Sequence, residues 1–529
     1  MIPTVPSWPR RLFRSRQRAH RAPWWLVATA AAVGLLLVAP LVGVVFQAFQ
    51  ASPRTAHRVL TGPLLPTLLV HTIQLTAIVS VACGVLGLGS AWLVERTDLP
   101  LRRLFAVLLL LPLAVPEFVA GYAWVSLAPS IQGLWGASLV MTLGLYPLVY
   151  LPVAASLRRS DPALDEVARG LGVGPVQRFR RVTLPQVARP LVGGMLLVGL
   201  SLLAEYGAFA ILRFRTFATA IYTQYTIGFD TQAASLLTLV LCLIGVILLM
   251  GESRVGRSAH PGRDSGRPPA RARLGRAKPL AVLALLALCA LAIGVPVGSI
   301  VYWMVSRTST TLPPASVWGT TVQSLTLGGV AAAVATALAL PVAVLTVRHP
   351  SPTSNGVERV AFLDRALPGV AIGLTLVTVA VHHLEPLYQT TTLLEVAYVI
   401  LFFPLALVAV RAAVARVPKG LEDAARSLGA SPIHVMRRIT VPLVLPGLAA
   451  AATMVWLSAT TELTATLLLR PTGLETLATR FWVYTTGLAY GAAAPYAAIM
   501  IGVSVLPVML LARLARSSSG ESGPRRPAA

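Results

Sequence analysis

The stretch Leu164–Pro185, LDEVARGLGVGPVQRFRRVTLP, occurs a second time 257 positions later as Leu421–Pro442, LEDAARSLGASPIHVMRRITVP. Ten of the 22 aligned positions are identical, and the apolar positions between them recur at a helical spacing. Both copies are polar and charged within an otherwise apolar chain, which packing in a bilayer does not require. The duplication therefore predicts that something outside the membrane contacts the protein at two equivalent places.

The composition excludes a soluble globule for most of the chain. Of the 529 residues, 56% are apolar and 12% are charged, and the mean hydropathy is +0.74. Runs of about 20 apolar residues, enough to cross a bilayer, recur along the sequence. We place twelve spans at Trp24–Phe46, Leu68–Val94, Leu104–Leu127, Leu134–Leu157, Leu191–Leu212, Ala233–Met250, Pro279–Val305, Val322–Val347, Val360–Val381, Leu393–Ala415, Leu445–Leu469 and Ala489–Leu514. The expected fold is an all-α polytopic membrane protein. Its first span is too long for a cleaved signal.

The chain has a formal charge of +25, and the placement of its basic residues indicates the membrane topology. If the N-terminus is cytoplasmic, twelve crossings place 37 of the 44 basic residues, both repeated loops and the C-terminus on the cytoplasmic side. The seven on the outside are Arg54, Arg58, Arg213, Arg215, Arg307, Arg470 and Arg480. This is the positive-inside pattern of a multi-pass protein of the cell membrane, so we expect lipid contact and no nucleic-acid partner.

A Gly-, Pro- and Arg-rich stretch at 252–278 divides the chain. We predict a basic cytoplasmic N-tail (1–22), a first six-helix half (23–251), a cytoplasmic linker (252–278), a second six-helix half (279–514) and a cytoplasmic C-tail (515–529). Further matched pairs support the division: Leu111–Pro116 with Leu363–Pro368, Gly121 with Gly373, Ser201 with Ser458, Glu205 with Glu462, and Arg213 with Arg470. An even number of spans in each half gives two parallel repeats, so both loops should lie on one face.

Motifs for catalysis or nucleotide binding are absent from the sequence. No Gly-rich phosphate loop occurs, and HExxH, GxSxG and clustered Cys or His are also missing. Cys83, Cys242 and Cys289 all lie inside predicted spans, where we interpret them as small packing residues. We therefore expect a non-enzymatic chain that binds no cofactor.

Each repeated loop should form two short helices joined at a glycine. Carboxylates at Asp165/Glu166 and Glu422/Asp423 suit the first turn of a helix. Gly172 and Gly429 can adopt positive φ and end that helix. The second segment should begin near Pro175 or Pro432 and stop before Pro185 or Pro442. We expect the loop to be acidic at its tip and basic behind it.

Both loops resemble the EAA motif of binding-protein-dependent ABC importer permeases. The residues that align with the motif are Glu166, Ala168, Gly172 and Pro185 in one copy and Asp423, Ala425, Gly429 and Pro442 in the other. Asp423 and Val441 depart conservatively from the motif, and Val167 departs from its middle alanine. The resemblance implies a type I importer permease fold, with each loop acting as a coupling helix on a cytoplasmic ABC ATPase dimer that uses the ATP. It also implies an extracytoplasmic substrate-binding protein.

The fused layout, with Leu111–Pro116 and Tyr206–Tyr222, is similar to ferric-iron importer permeases in particular. Thiamine importer permeases share the fused arrangement and are the nearest alternative. Polyamine or phosphonate as the cargo also stays open.

Glu205 and Glu462 each interrupt an apolar predicted span, where a charge at mid-depth costs about 2.5–3.5 kcal/mol on insertion scales. One hypothesis is that both line a central pathway and offer oxygen ligands to a hard cation. The alternative is that each bonds to a neighbouring helix or lies protonated at the outer interface. His382 and His383 near an outer end are either metal ligands or an interfacial pair.

A 6+6 secondary transporter has the same number of spans. Such a protein commonly carries a Gly-x-x-x-Asp-Arg signature after its second span, whereas this chain has ERTDLPLRR at 95–103 without the glycine. It also has no reason to duplicate the loop. A channel or membrane scaffold is the remaining alternative.

Overall fold

The computed structural model describes residues 22–159, 162–257, 271–306, 314–363, 365 and 367–517. The first half contains α1 Trp24–Phe49, α2 Pro53–Thr61, α3 Leu64–Arg96, α4 Arg102–Leu108, α5 Glu117–Leu127, α6 Gly133–Leu145, α7 Pro147–Arg159, α8 Pro162–Gly170, α9 Pro175–Arg178, α10 Leu184–Ala204, α11 Gly207–Ile211, α12 Phe217–Thr226 and α13 Thr231–Arg257. The second contains α14 Lys278–Cys289, α15 Val295–Ser306, α16 Pro314–Arg348, α17 Pro352–Leu363, α18 Gly369–His383, α19 Thr391–Arg416, α20 Lys419–Ser427, α21 Pro432–Val435, α22 Val441–Thr460, α23 Thr464–Leu469, α24 Leu477–Thr486 and α25 Tyr490–Ser517.

The all-α membrane fold is confirmed. Within the described ranges, ten helices are long and apolar enough to cross a bilayer, and one bent pair brings the number to eleven. Large apolar side chains on these helices also point away from the bundle, among them Leu35, Ile73, Val85 and Leu283, each more than half exposed. Such faces suit a hydrocarbon solvent. Cys83, Cys242 and Cys289 are buried, as expected for packing residues.

The third span of each half is broken, so the predicted continuous helices Leu104–Leu127 and Val360–Val381 are wrong. In the first half α4 and a 3₁₀ turn end at Ala114, and α5 leaves at 89° to them. Val115 is extended because it precedes Pro116, which disfavours helical backbone at the residue before it and has no N–H to donate. The matching Pro368 separates α17 from α18.

The predicted spans Leu191–Leu212 and Leu445–Leu469 are also wrong at their ends. Helix α10 stops at Ala204 and α22 stops at Thr460, and the short helices α11 and α23 follow. Each short helix packs closely against the helix that follows the break in the third span, α5 in the first half and α18 in the second. Gly121 lies against Ala208 of α11, and Gly373 lies against Ala465 of α23.

Each half is built on the same three packed helices: α3, α7 and α10 in the first, and α16, α19 and α22 in the second. The opening helices are exchanged between halves. Leu26, Val33 and Leu37 of α1 belong to the apolar core of the second half, whereas Leu285 and Ile300 of α14 and α15 belong to the core of the first. The exchange buries apolar surface between the halves, which holds them together.

The end of the linker is fixed to the first half. Ala272 forms an isolated β-bridge with Thr97, and Asp98 accepts from the Leu274 N–H at 2.8 Å and from Lys278 Nζ at 2.9 Å. These donors hold the pKa of the Asp98 carboxyl below its usual range, the backbone N–H of Leu274 contributing most. Helix α13 extends to Arg257, and the linker residues 258–270 lie outside the described residues.

Candidate functional site: two repeated loops and two helix breaks

Gly172 ends the first helix of the first loop in the predicted way. Its φ is +72°, its N–H bonds to Arg169 O at 3.0 Å, and the Val173 N–H bonds to Ala168 O at 3.0 Å. This is a Schellman C-cap, in which a glycine at positive φ lets the chain satisfy the last carbonyls of a helix. The Gly429 copy repeats it with φ +85°, Arg426 O at 3.0 Å, and Ala430 N–H to Ala425 O at 3.1 Å.

The second segment of each loop runs on into the membrane, so the predicted stop before Pro185 or Pro442 is wrong. Helix α9 continues through a π-helical turn, Phe179–Thr183, into α10, and α21 continues through Met436–Thr440 into α22. In the first loop the π turn bonds the Leu184 N–H to Phe179 O, and Pro185 falls in the first turn of α10. A proline is tolerated there because no N–H is needed.

The two acids of each loop point in different directions, so only part of the predicted acidic tip forms. Glu166 and Asp423 are exposed. Asp165 turns back to Arg169 at 3.1 Å and Arg178 at 3.6 Å. Glu422 is buried at 4% side-chain exposure and bonds to Arg348.

Both loops expose large apolar side chains at equivalent positions. Leu171 is 77% exposed and its counterpart Leu428 is 88% exposed. The same holds for the pairs Leu164 and Leu421, and Val176 and Ile433. Residues 272–278 contact Thr97 and Asp98 at the end of α3, and two spans, Gly275–Ser306 and Ser316–Arg348, lead from there to the second loop. Two crossings return the chain to the same end of the bundle, here called the loop face. Paired apolar side chains on a polar loop are typical of a contact surface.

Glu205 and Glu462 do not interrupt a continuous helix, as the sequence suggested, but lie in the break after α10 or α22. Glu205 Oε1 accepts from the Ala208 N–H at 2.6 Å. Glu462 accepts from the N–H groups of Ala465 and Thr466, both at 3.0 Å, and from Thr466 Oγ1 at 2.8 Å. Both carboxylates therefore satisfy the first N–H groups of the short helix that follows.

The breaks of the third and fifth spans meet beside these carboxylates. A Cβ added at Gly369, the first residue of α18, would lie 3.1 Å from Glu462 Oε1. The equivalent residue of the first half is Glu117, and the Glu205 carboxylate is within electrostatic range of both Glu117 and Glu462. Irregular backbone at membrane depth is tolerated where it is buried in protein or lines a water-filled cavity. Gly207, two residues after Glu205, lies against Leu463 and Phe118, so the helix breaks that carry these three carboxyls meet between the two halves.

An open cleft of about 390 Å³ lies at the end opposite to the loop face, lined by Leu64, Tyr206, Phe209, Ala210, Arg213, Phe214, Arg215, Thr219, Ala220, Thr223 and Gln224. The side chains of Arg213 and Arg215 are exposed, and Phe214 between them is buried and stacked on His71 with centroids 5.1 Å apart. Arg213 holds a φ of +51°. In the second half Glu475 stands where Arg215 would be, and it pairs with Arg480.

His382 and His383 are exposed at the end of α18, and His382 Nδ1 lies 2.8 Å from Thr378 O. Within the described ranges no group of three or more His, Cys, Asp and Glu side chains is placed to hold a metal ion.

Sequence reasoning missed Arg348 and Glu117. Arg348 ends an apolar helix 252 positions after Arg96, which ends the equivalent helix. That offset equals the one between Leu111–Pro116 and Leu363–Pro368, so the internal repeat could have identified Arg348 as a candidate residue. Glu117 has Gly369 at its matched position, so the duplication could not reveal it.

The duplicated loops, the broken spans and the parallel halves define an inner-membrane transport subunit. The chain belongs to the family of binding-protein-dependent transport system inner membrane components, whose model matches residues 84–251 and 329–519, once in each half. It is a multi-pass inner-membrane protein. Family membership overturns the secondary-transporter, channel and scaffold alternatives.

The relatives include both full-length and half-length proteins. The chain is 34% identical over 504 residues to the Fe(3+)-transport system permease protein FbpB 2 of Haemophilus influenzae, covering 94% of this chain and 99% of the relative. It is 30% identical over 250 residues to the sulfate transport system permease protein CysT of Salmonella typhimurium, covering 42% of this chain and 90% of the relative. A probable molybdenum ABC transporter permease protein of Haloferax volcanii matches at 26% over 240 residues, 43% of this chain and 89% of that protein.

Proposed function

We propose that this chain is the permease of an ATP-driven importer that carries ferric iron, delivered by an external binding protein, across the inner membrane. The chain forms the path through which the cargo crosses the membrane. A separate ATPase dimer on the loop face hydrolyses ATP, and this chain binds no cofactor.

The observation that carries the coupling role is the pair of exposed leucines, Leu171 and Leu428. They lie at equivalent positions beside the two positive-φ glycines and expose 77% and 88% of their surface. A matched pair of apolar contacts related by a pseudo-twofold axis suits a partner that is itself a dimer. We assign the loop face to the cytoplasm, in accord with the positive-inside pattern.

A continuous helical path joins each loop to the centre of the molecule. From α9 the chain passes through the π turn into α10, which is 21 residues long, about 30 Å by helical rise, and ends beside Glu205. The second loop reaches Glu462 through α22 in the same way. ATP-driven closure of the dimer moves both loops together and opens the path to the outside, and hydrolysis reverses the movement.

The cargo assignment rests on the iron-transport relative and on the central carboxylates. Glu117, Glu205 and Glu462 supply carboxyl oxygens, the ligand type that a hard trivalent cation prefers along its route. A tight site is unnecessary because the external protein selects the cargo.

Membrane vesicles that contain this chain, its ATPase and its binding protein should take up labelled ferric iron when ATP is inside. Collapse of the ion gradients should leave the uptake intact, and replacing ATP with ADP should stop it. Thiamine, a polyamine, a phosphonate and sulfate should not enter. Entry of one of these without iron would keep the permease class and overturn the cargo.

The outer cleft is the place where we expect the binding protein to dock, through an acidic surface facing Arg213 and Arg215. Reversal of both charges, Arg213→Glu plus Arg215→Glu, should weaken stimulation of ATP hydrolysis by the loaded binding protein by about tenfold, since like charges would then face each other. Arg54→Glu, an exposed arginine of α2 on the same face, is the control. Equal stimulation in the two variants would contradict docking at this cleft.

A further inference from the structure

One buried guanidinium joins four elements at the second loop. Arg348, the last residue of α16, lies with Nη2 3.0 Å and Nε 3.2 Å from Glu422 Oε1 in the first turn of α20. Its Nη2 also donates to Val414 O at 3.2 Å and Val417 O at 2.9 Å, at the end of α19. Glu422 Oε1 in turn accepts from Thr440 Oγ1 at 3.1 Å, in the π turn that leads to α22.

The geometry suits arginine and no other side chain. The planar fork serves a carboxylate and two carbonyls of a helix end at once, and one of those carbonyls, Val414 O, also accepts from the Val417 N–H at 3.2 Å. The exposed fractions are 6% for Arg348 and 4% for Glu422. The pair is therefore withdrawn from water and from salt screening.

The first half carries the same pair of positions. Arg96 ends α3 as Arg348 ends α16 and is 8% exposed, whereas Asp165, the residue that matches Glu422, pairs with Arg169 and Arg178. A buried ion pair contributes little net stability, because desolvation of two charges offsets their attraction. The bonds of the buried Arg348–Glu422 pair to α19 and to the π turn therefore indicate that it fixes a position.

We propose that Arg348 is a positioning residue that fastens the second coupling loop to two membrane helices, α16 and α19. Movement of α20 at the loop face is then passed to α16 and α19 as well as to α22. Without the fastening, the loop still docks on its partner but turns on its own, and ATP hydrolysis no longer drives import. The inference rests on the proposed function.

The test compares the permease–ATPase complex carrying Arg348→Met plus Glu422→Leu with the wild type. This double change leaves no unpaired buried charge, so the protein should fold and retain the ATPase on purification. Cargo imported per ATP hydrolysed should fall about tenfold, as expected when one positioning contact in a coupled network is lost. Arg348→Lys keeps the charge but not the fork, and should show an intermediate ratio with normal assembly.

Arg411→Met is the matched control, because Arg411 pairs with Glu358 between α19 and α17 and does not touch the loop. It should leave the import ratio unchanged. A wild-type ratio in both Arg348 variants would overturn the inference. The inference would also be overturned if uptake fell in both Arg348 variants only in proportion to the loss of bound ATPase, since that result indicates a structural role. The ratio is measured with whichever cargo the wild type imports, so failure of the iron assignment is seen separately.

Discussion

Replacement of both Gly172 and Gly429 with valine should reduce uptake by about two orders of magnitude while leaving membrane insertion intact. Both glycines hold positive φ, +72° and +85°. A β-branched residue in this region is a strained outlier that costs about 2 kcal/mol per site, and two sites together amount to about a thousandfold change in population. The loops then leave the conformation that presents Leu171 and Leu428.

Steric clash of the new side chains does not complicate the interpretation of this experiment. A Cβ at either glycine would meet no heavy atom within 4 Å, so the backbone conformation is the property that changes. Gly170→Val plus Gly420→Val is the matched control, because these glycines lie in the same loops, have equally open surroundings and lack positive φ. ATPase copurification and uptake are both measured. Normal values in the Gly172 and Gly429 double variant would falsify the coupling role of the loops.

Glu205→Gln plus Glu462→Gln should slow iron uptake by about thirtyfold, although each single change costs only about threefold. The pair is expected to act together because the helix breaks that carry both carboxyls meet, with Gly207 against Leu463 and Phe118. A single change leaves two carboxyl groups beside the route, whereas the double change leaves one.

Thermal stability separates the capping role of these carboxylates from their charge. Glu462 accepts three hydrogen bonds and Glu205 one. Glutamine offers a single acceptor oxygen, so Glu462→Gln should lower the melting temperature more than Glu205→Gln. Glu385→Gln, in the exposed turn after α18, is the control for uptake. Small additive effects on uptake would mean that the carboxylates act only as caps.

Short-range physics made several features predictable from the sequence. In the described part of the chain, ten apolar helices are long enough to cross a bilayer, and such runs become helical because a backbone in hydrocarbon must satisfy its own hydrogen bonds. The loop helices end at Gly172 and Gly429 because only glycine adopts positive φ without strain. The break at Pro116 was not predicted, although proline and the residue before it resist helical backbone.

The sequence by itself determined the membrane class, the duplication and the two glycine-capped loops, because each depends on local hydropathy, spacing or backbone freedom. Only the tertiary structure decided which half α1 packs against, that Glu422 turns inward to Arg348 while Asp423 stays exposed, and that the helix breaks beside Glu205, Glu462 and Glu117 meet. These outcomes depend on which helix faces which. Partners separated by 74 residues, as Arg348 and Glu422 are, meet only when the packed bundle brings their helix ends together.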